Sequence, residues 1–178
     1  VYYTGNHQTK EALQIYDKLL DRSLPHAIIY QYRGDLFLNI GKQSEAIKDY
    51  DQALKLQPND SGILNNLAWV LATSPEDKLR DAKRALELAK RACEVTQYKE
   101  AHILSTLAAA FAEKGDFTEA VRWSEEAVKL GNPTVDDQLK AELKSYREGK
   151  PWREKHTASQ DTGNNQSGQV IQDDTQEL

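Results

Sequence analysis

The chain has 178 residues, of which 39% are hydrophobic and 29% are charged, and its formal net charge is −5. No stretch of the sequence reaches the roughly 18 consecutive apolar residues of a membrane-spanning helix. Basic and acidic residues nearly balance over residues 1–153, and residues 154–178 are acidic, so the chain lacks the concentrated positive charge that nucleic acids and anionic membranes attract.

Residues 1–26 have the pattern of one helix of a larger repeated unit. Ala12, Tyr16 and Leu19 recur at spacings of four and three, which is typical of one face of a helix. Residues 1–5 resemble the end of a preceding helix. Because the chain opens at Val1, without an initiating Met or a leader segment, we expect the array to continue upstream.

Residues 27–60 predict two helices joined by a short turn. Gly41 is suited to end the first helix, and the polar residues that follow it are suited to cap the second. Pro58 follows the second helix. The positions that mark the two helical faces recur at spacings of three and four, and they are Tyr30, Gly34, Phe37, Ala46, Tyr50 and Ala53.

The pattern of small and large residues recurs 34 residues later, in a longer middle unit over residues 61–100. Residues 73–81 replace the short turn of the preceding unit. Ser74 before Pro75 predicts a new helical start within this insertion. The repeated positions are Leu64, Leu67, Ala68 and Leu71, then Ala85, Ala89 and Ala92.

Residues 101–134 predict a third pair of helices, with Gly115 in the turn and Pro133 just beyond the second helix. Its repeated positions are Leu104, Leu107, Ala108, Phe111, Ala120, Ser124 and Ala127.

The C-terminal part of the chain predicts one further helix and then a tail. Within residues 135–153, Leu139, Leu143 and Tyr146 share one helical face, which we expect to cover the last pair as a capping helix. Trp152 is placed to fold back onto that cap. Residues 154–178 are polar and acidic with little apolar content, so we expect a disordered tail.

This succession of large, small and aromatic residues, followed by Ala, an aromatic residue, Ala and Pro, resembles the tetratricopeptide repeat. The resemblance implies an all-α, right-handed superhelical stack of antiparallel helix hairpins, closed by the capping helix. Arg33 stands where the family usually has an apolar residue, which we expect to loosen one contact. The middle unit resembles a variant of bacterial multidomain proteins, so we expect a bacterial origin.

The sequence predicts no enzyme, no metal and no cofactor. Cys93 is the single cysteine and lies in an alanine-rich helix, where a buried, inert thiol is the expected state. The four histidines have no partner at three- or four-residue spacing that would complete a zinc site. The glycines fall at helix contacts and helix ends rather than in a phosphate-binding loop.

The remaining candidate is the inner, concave surface, which in this family is lined by the first helix of each pair. Amides dominate it, and Asn and Gln suit the alternating donors and acceptors of a peptide backbone. Tyr32 and Trp69 supply anchoring area, although Trp69 can equally pack in the core. The candidate groove residues are Gln31, Tyr32, Asp35, Asn39, Asn65, Asn66, Trp69, Thr73, His102, Ser105, Thr106 and Glu113.

Some members of this family clamp the C-terminal carboxylate of chaperones with two Lys, two Asn and an Arg. In this chain Asn66 alone stands at a matching place, and the other positions hold Gln31, Asp35, His102 and Thr106. We therefore expect no chaperone-tail clamp.

These observations predict a scaffold that binds a peptide segment or helix of another protein. Two alternatives stay open: the chain is a C-terminal appendage of a larger enzyme or receptor, or it self-associates through its truncated first unit. The tail is a further candidate, since Val170, Ile171 and Leu178 could enter a neighbour's groove. The sequence identifies neither the partner nor the cellular compartment.

Overall fold

The computed structural model of the chain describes residues 6–22, 26–131 and 136–154, and over this part the structure is helical without strands. A one-turn 3-10 helix at Asp77–Leu79 separates the two helices of the middle unit. The α-helices are α1 (Asn6–Arg22), α2 (Ala27–Asn39), α3 (Gln43–Leu56), α4 (Ser61–Thr73), α5 (Ala82–Val95), α6 (Ala101–Glu113), α7 (Phe117–Leu130) and α8 (Asp136–Arg147).

Three hairpins form the body of the molecule: α2 with α3, α4 with α5, and α6 with α7. Gly41 and Gly115 end the first helix of the outer two hairpins with φ of 76° and 87°, a left-handed conformation that favours glycine. Asp116 caps α7 by accepting a hydrogen bond from the Glu119 backbone, whereas α3 begins without a side-chain cap.

Small residues let the helices approach closely and bury a continuous core. Ala85, Ala89 and Ala92 on α5 are fully buried beside the leucine-rich faces of α4 and α6. Each hairpin packs on its neighbours along the chain, because an amphipathic helix pair cannot shield its apolar side alone. The expected all-α stack of hairpins is thus confirmed.

The insertion in the middle unit folds differently from the expectation. The segment after Ser74 and Pro75 does not begin an α-helix but makes the single 3-10 turn, and α5 starts at Ala82. The Ser74 hydroxyl accepts a hydrogen bond from the Glu76 backbone at 3.1 Å. Asp81 then caps α5 through the Arg84 N–H. The 3-10 turn and the Asp81 cap of α5 therefore replace the helical start that was predicted at Ser74.

Helix α8 covers the last hairpin and is followed by a short segment that returns to the middle of the molecule. Leu139, Leu143 and Tyr146 are buried, and Gly149, at φ 70°, redirects the chain after the helix. Trp152 then packs against the core. We call residues 150–154 the strap.

Several predictions fall outside the described residues. They concern the helix end at residues 1–5, Pro133, and the tail at residues 155–178 with Val170, Ile171 and Leu178. Glu154, which the sequence places in the tail, is instead part of the strap. In the described part, no helix combines the length and apolarity needed to cross a membrane.

Candidate functional site

The first helices of the three hairpins and α8 enclose a pocket of about 380 Å³. We call it the central pocket. Eight of the twelve candidate groove residues line it: Asp35, Asn39, Asn65, Asn66, Trp69, His102, Ser105 and Thr106. Leu38, Gln138 and Leu139 complete its wall.

Helix periodicity explains why these residues meet. Asp35 and Asn39 are four residues apart on α2, and Asn65 and Trp69 have the same spacing on α4, so each pair shares one helical face. Stacking the hairpins brings these faces side by side. No single helix supplies more than part of the wall.

A chain of hydrogen bonds connects the pocket wall to the core of the first full hairpin. The Asp35 carboxylate accepts the Tyr50 hydroxyl at 2.6 Å and the Asn66 amide nitrogen at 3.0 Å. The Asn65 amide nitrogen in turn donates to the Asn66 oxygen at 3.4 Å. Burial, followed by the nearby Asp35 carboxylate, raises the pKa of Tyr50 well above its ordinary value, so the phenol is a donor at neutral pH.

The chain of bonds ends at an acceptor without a partner. Asn65 is 9% exposed, and its Oδ1 is buried without a hydrogen-bond donor among the described residues. A buried amide oxygen left in this state costs roughly 1–3 kcal/mol. The unpaired oxygen belongs to a residue of the pocket wall.

A buried carboxyl lies behind the pocket, between α6 and α8. Glu142 is fully buried, and its oxygens contact the Ser105 hydroxyl at 2.5 Å and the Gln138 amide nitrogen at 2.8 Å. Burial raises its pKa above the ordinary value, although these two hydrogen bonds lower it. Ser105 and Gln138 thus belong both to the pocket wall and to the attachment of α8.

Trp69 connects the central pocket to the strap. Its ring is half-buried, packs against the core and lines the pocket. Its indole Nε1 donates to the Glu154 carboxylate at 2.9 Å. The Glu154 backbone N–H donates to the Thr73 carbonyl at 3.0 Å. Trp69 therefore contacts the core and also lines the central pocket.

Thr73 and Glu113 lie under the strap rather than in the central pocket. Thr73 is buried, and its hydroxyl donates to the Trp69 carbonyl at 2.8 Å. Glu113 accepts Arg80 at 2.9 Å and Arg153 at 2.6 Å. Both side chains are occupied by contacts within the chain.

Gln31 and Tyr32, at the other end, also lie outside the pocket wall. Tyr32 on α2 is 52% exposed, and the Gln31 amide nitrogen lies beside Gly62 of the next hairpin. These two residues extend the candidate surface beyond the pocket along α2.

Among the described residues that line the pocket, Asp35 carries the one fixed charge, and none is Lys or Arg. His102 is exposed, with its Nδ1 3.9 Å from the Glu100 carboxylate. An anionic C-terminus would therefore meet no cation on this wall.

Sequence reasoning missed three lining residues. Leu38 precedes Asn39 and lies three residues after Asp35, so the period of α2 could have identified it. Gln138 and Leu139 belong to α8. Their place depends on how α8 docks, and a helical pattern does not contain that information.

The described residues contain no group of three or more His, Cys, Asp or Glu placed to hold a metal ion. Cys93 is fully buried between α5 and α6, with its Sγ 3.9 Å from the Ile103 carbonyl. Burial raises the pKa of this thiol to about 12, which keeps it protonated at neutral pH.

Similar structures share this architecture. A MamA crystal structure aligns with a TM-score of 0.66 at 15% identity, over 80% of this chain and 74% of MamA. A fragment of MamA, from residue 41 to its end, from Desulfovibrio magneticus RS-1 aligns with a TM-score of 0.61 at 19% identity, over 79% and 81% of the two chains. At these identities the likeness establishes the fold.

A curated relative comes from Fusarium oxysporum f. sp. lycopersici: the tetratricopeptide repeat and J domain-containing co-chaperone DNJ1. It is 26% identical over 126 residues, which are 70% of this chain and 24% of the relative. A tetratricopeptide repeat family model matches residues 6–133, which include α1 and all three hairpins. The chain therefore belongs to the tetratricopeptide repeat family, and its hairpins form a protein-interaction scaffold of the general kind that this family provides.

Proposed function

We propose that the chain binds an extended segment or a helix of a partner protein along the inner surface of its first helices. The central pocket holds the anchoring side chain of that segment, and the role is non-catalytic. The buried, protonated Cys93 thiol supports this, because it is unsuited to act as a nucleophile.

One observation carries the proposal: polar groups and one aromatic ring from three successive hairpins converge on a single pocket. Amides, hydroxyls and apolar side chains alternate in its wall. Such a surface suits a peptide, which presents backbone hydrogen-bonding groups and side chains together. A groove with one fixed charge favours modest affinity for a free segment, on the order of micromolar.

Trp69→Ala tests this proposal. Short random peptides are selected by display on the full chain, and their affinities are measured by fluorescence anisotropy. Removing the Trp69 ring deletes the largest anchor of the pocket, so we expect groove-binding peptides to lose roughly 2 kcal/mol, or about thirtyfold in affinity.

Trp123→Ala is the matched control. Trp123 lies on α7, stacks on Tyr98 at 5.4 Å between ring centroids and is outside the pocket wall. The free energy of unfolding is measured for both variants. If no selected peptide responds to Trp69→Ala more than to Trp123→Ala, the groove is not the binding surface and the proposal fails.

Exposed apolar side chains favour self-association as a second candidate. Ile15 and Leu19 on α1 are 58% and 41% exposed, and Ile28 on α2 is 46% exposed. Burying such side chains against a second copy would be favourable. Light scattering over a concentration series should show mass increasing with concentration, and Ile15→Glu should suppress that increase; a constant mass would contradict this candidate.

The fungal relative is described as joining its repeat to a J domain, and this favours the further possibility that the chain acts within a larger protein. This chain matches about a quarter of that relative. The complete reading frame would test the possibility, because a catalytic or J domain encoded with the repeats would support it and its absence would contradict it.

A further inference from the structure

The orientation of the pocket amides is determined by Asp35. A carboxylate only accepts hydrogen bonds, so the Asn66 group that contacts Asp35 at 3.0 Å must be its amide nitrogen. The Asn66 oxygen is then the atom that faces Asn65, which must present its own nitrogen at 3.4 Å. The free end of this chain of bonds is therefore the Asn65 oxygen.

This polarity makes the α2–α4 side of the pocket an acceptor surface. Asn65 Oδ1 is buried and has no donor among the described groups. Asp35 adds a half-buried carboxylate to the same wall. A cationic group of a ligand would be attracted to the Asp35 carboxylate at this wall, whereas a ligand carboxylate would be repelled.

The Glu154 carboxylate, which is held at the outer edge of Trp69, reinforces this preference. Neither Lys nor Arg occurs in the pocket wall within the part of the chain that the structure describes. The Trp69 ring, Leu38 and Leu139 provide apolar surface on which the alkyl part of a long side chain can pack.

We propose that the central pocket selects a lysine or arginine side chain of the partner segment, with its alkyl part against Trp69 and its cationic group near Asp35 and Asn65. This inference rests on the proposed function and specifies the chemistry of its ligand. The pocket thus has a preference opposite to that of a site for a C-terminal carboxylate.

Peptides selected on the full chain test this directly. Those whose binding depends on Trp69 should share a Lys or Arg, and replacing that residue by norleucine should weaken binding about tenfold, as expected for loss of a charge-assisted hydrogen bond. Asp35→Asn keeps the size of the side chain but removes its charge. It should reduce the advantage of Lys over norleucine to about threefold or less.

Glu87→Gln is the matched control, because Glu87 is exposed on α5 and lies outside the central pocket. It removes the same charge and should leave the advantage of Lys unchanged. Added salt should shrink this advantage in the unsubstituted chain, a measurement that holds even if Asp35→Asn does not fold.

Two results would overturn the inference: Trp69-dependent peptides without enriched Lys or Arg, or a Lys advantage that Asp35→Asn and salt leave intact. In both cases Trp69 dependence would still support binding in the groove. Peptides that bind independently of Trp69 would instead remove the proposed function itself, so the two failures are distinguishable.

Discussion

Gly34 and Tyr50 are fitted to each other across the first full hairpin. Tyr50 is fully buried, and a Cβ added at Gly34 would lie 3.0 Å from its ring carbon Cε1. The Tyr50 hydroxyl is held by Asp35 at 2.6 Å, so the ring cannot move aside without losing this bond. The close approach of α2 and α3 depends on the missing side chain.

Gly34→Ala should destabilise the protein by about 1–3 kcal/mol, because overpacking of a rigid buried ring outweighs the better helix propensity of alanine. Urea unfolding gives the difference. Gly62→Ala is the control, since its added Cβ would meet the flexible Gln31 amide and the Asp60 carboxylate at 3.4 and 3.3 Å. An equal loss in both variants would contradict the role of Tyr50.

Arg33 shows how a residue that departs from the family pattern is accommodated between helices. That it loosens one apolar contact stays a prediction. Its guanidinium makes two hydrogen bonds of 2.7 Å to Asp49 on α3 and one of 2.6 Å to Asp17 on α1. Arg33 thereby joins three helices, a role that an apolar residue at this position could not perform.

At the scale of elements, α8 is attached through a polar contact as well as an apolar one. Glu142 reaches Ser105 of α6, and Leu139 and Tyr146 on the same helix are buried around it. The Tyr146 phenol and the Glu154 carboxylate both interact electrostatically with the Glu142 carboxyl. The burial that positions α8 therefore also opposes ionisation of Glu142.

This arrangement predicts a pH dependence with a definite sign. The pKa of Glu142 is raised in the folded chain, so its stabilising contribution is full below the unfolded pKa and is lost as pH rises through the folded pKa. Glu142→Gln stays neutral and keeps acceptor and donor groups for Ser105 and Gln138. We expect the variant to gain stability relative to the unsubstituted chain as pH rises.

The measurement is urea unfolding of both chains at about pH 5 and about pH 8, where the difference between them isolates Glu142 from other carboxyls. Equal differences at the two pH values would show that Glu142 keeps its ordinary pKa. Tyr146, with a pKa also raised by burial, stays neutral throughout this range.

The sequence predicted the hairpins and the capping helix, and it missed the pocket residues of α8 and the contacts of the strap with α4 and α6. The period of 34 residues and the helical spacings were enough to predict the hairpins, because each hairpin repeats the same pattern of large and small residues. Ser74 and Pro75 resemble a helix start, yet a 3-10 turn follows them. Gln138 lines the pocket, and the strap packs against the middle of the molecule, because of tertiary packing. Tertiary packing leaves no periodic signal in the sequence.

At the scale of the whole molecule, Cys93 reports on the junction between the second and third hairpins. Its thiol is buried where α5 meets α6, and its pKa is raised to about 12. A thiol reagent can reach it only when these hairpins separate or the chain unfolds. One natural side chain therefore measures the integrity of the stack.

We expect a disulfide reagent to label Cys93 at least about a hundredfold more slowly in the native chain than in urea. Because Cys93 is the single cysteine, absorbance of the released thiolate measures this site alone. Labelling at the unfolded rate would show that the hairpins separate readily in solution.

The strap also determines where a working fragment of this protein can be cut. Its anchors include the packed ring of Trp152, the Arg153 guanidinium on Glu113 and the Glu154 backbone on Thr73. Truncation at the end of α8 would keep every helix, but it would expose the core surface that Trp152 covers and remove one of the two arginines that pair with Glu113. Truncation for crystallisation or display should therefore come after Glu154.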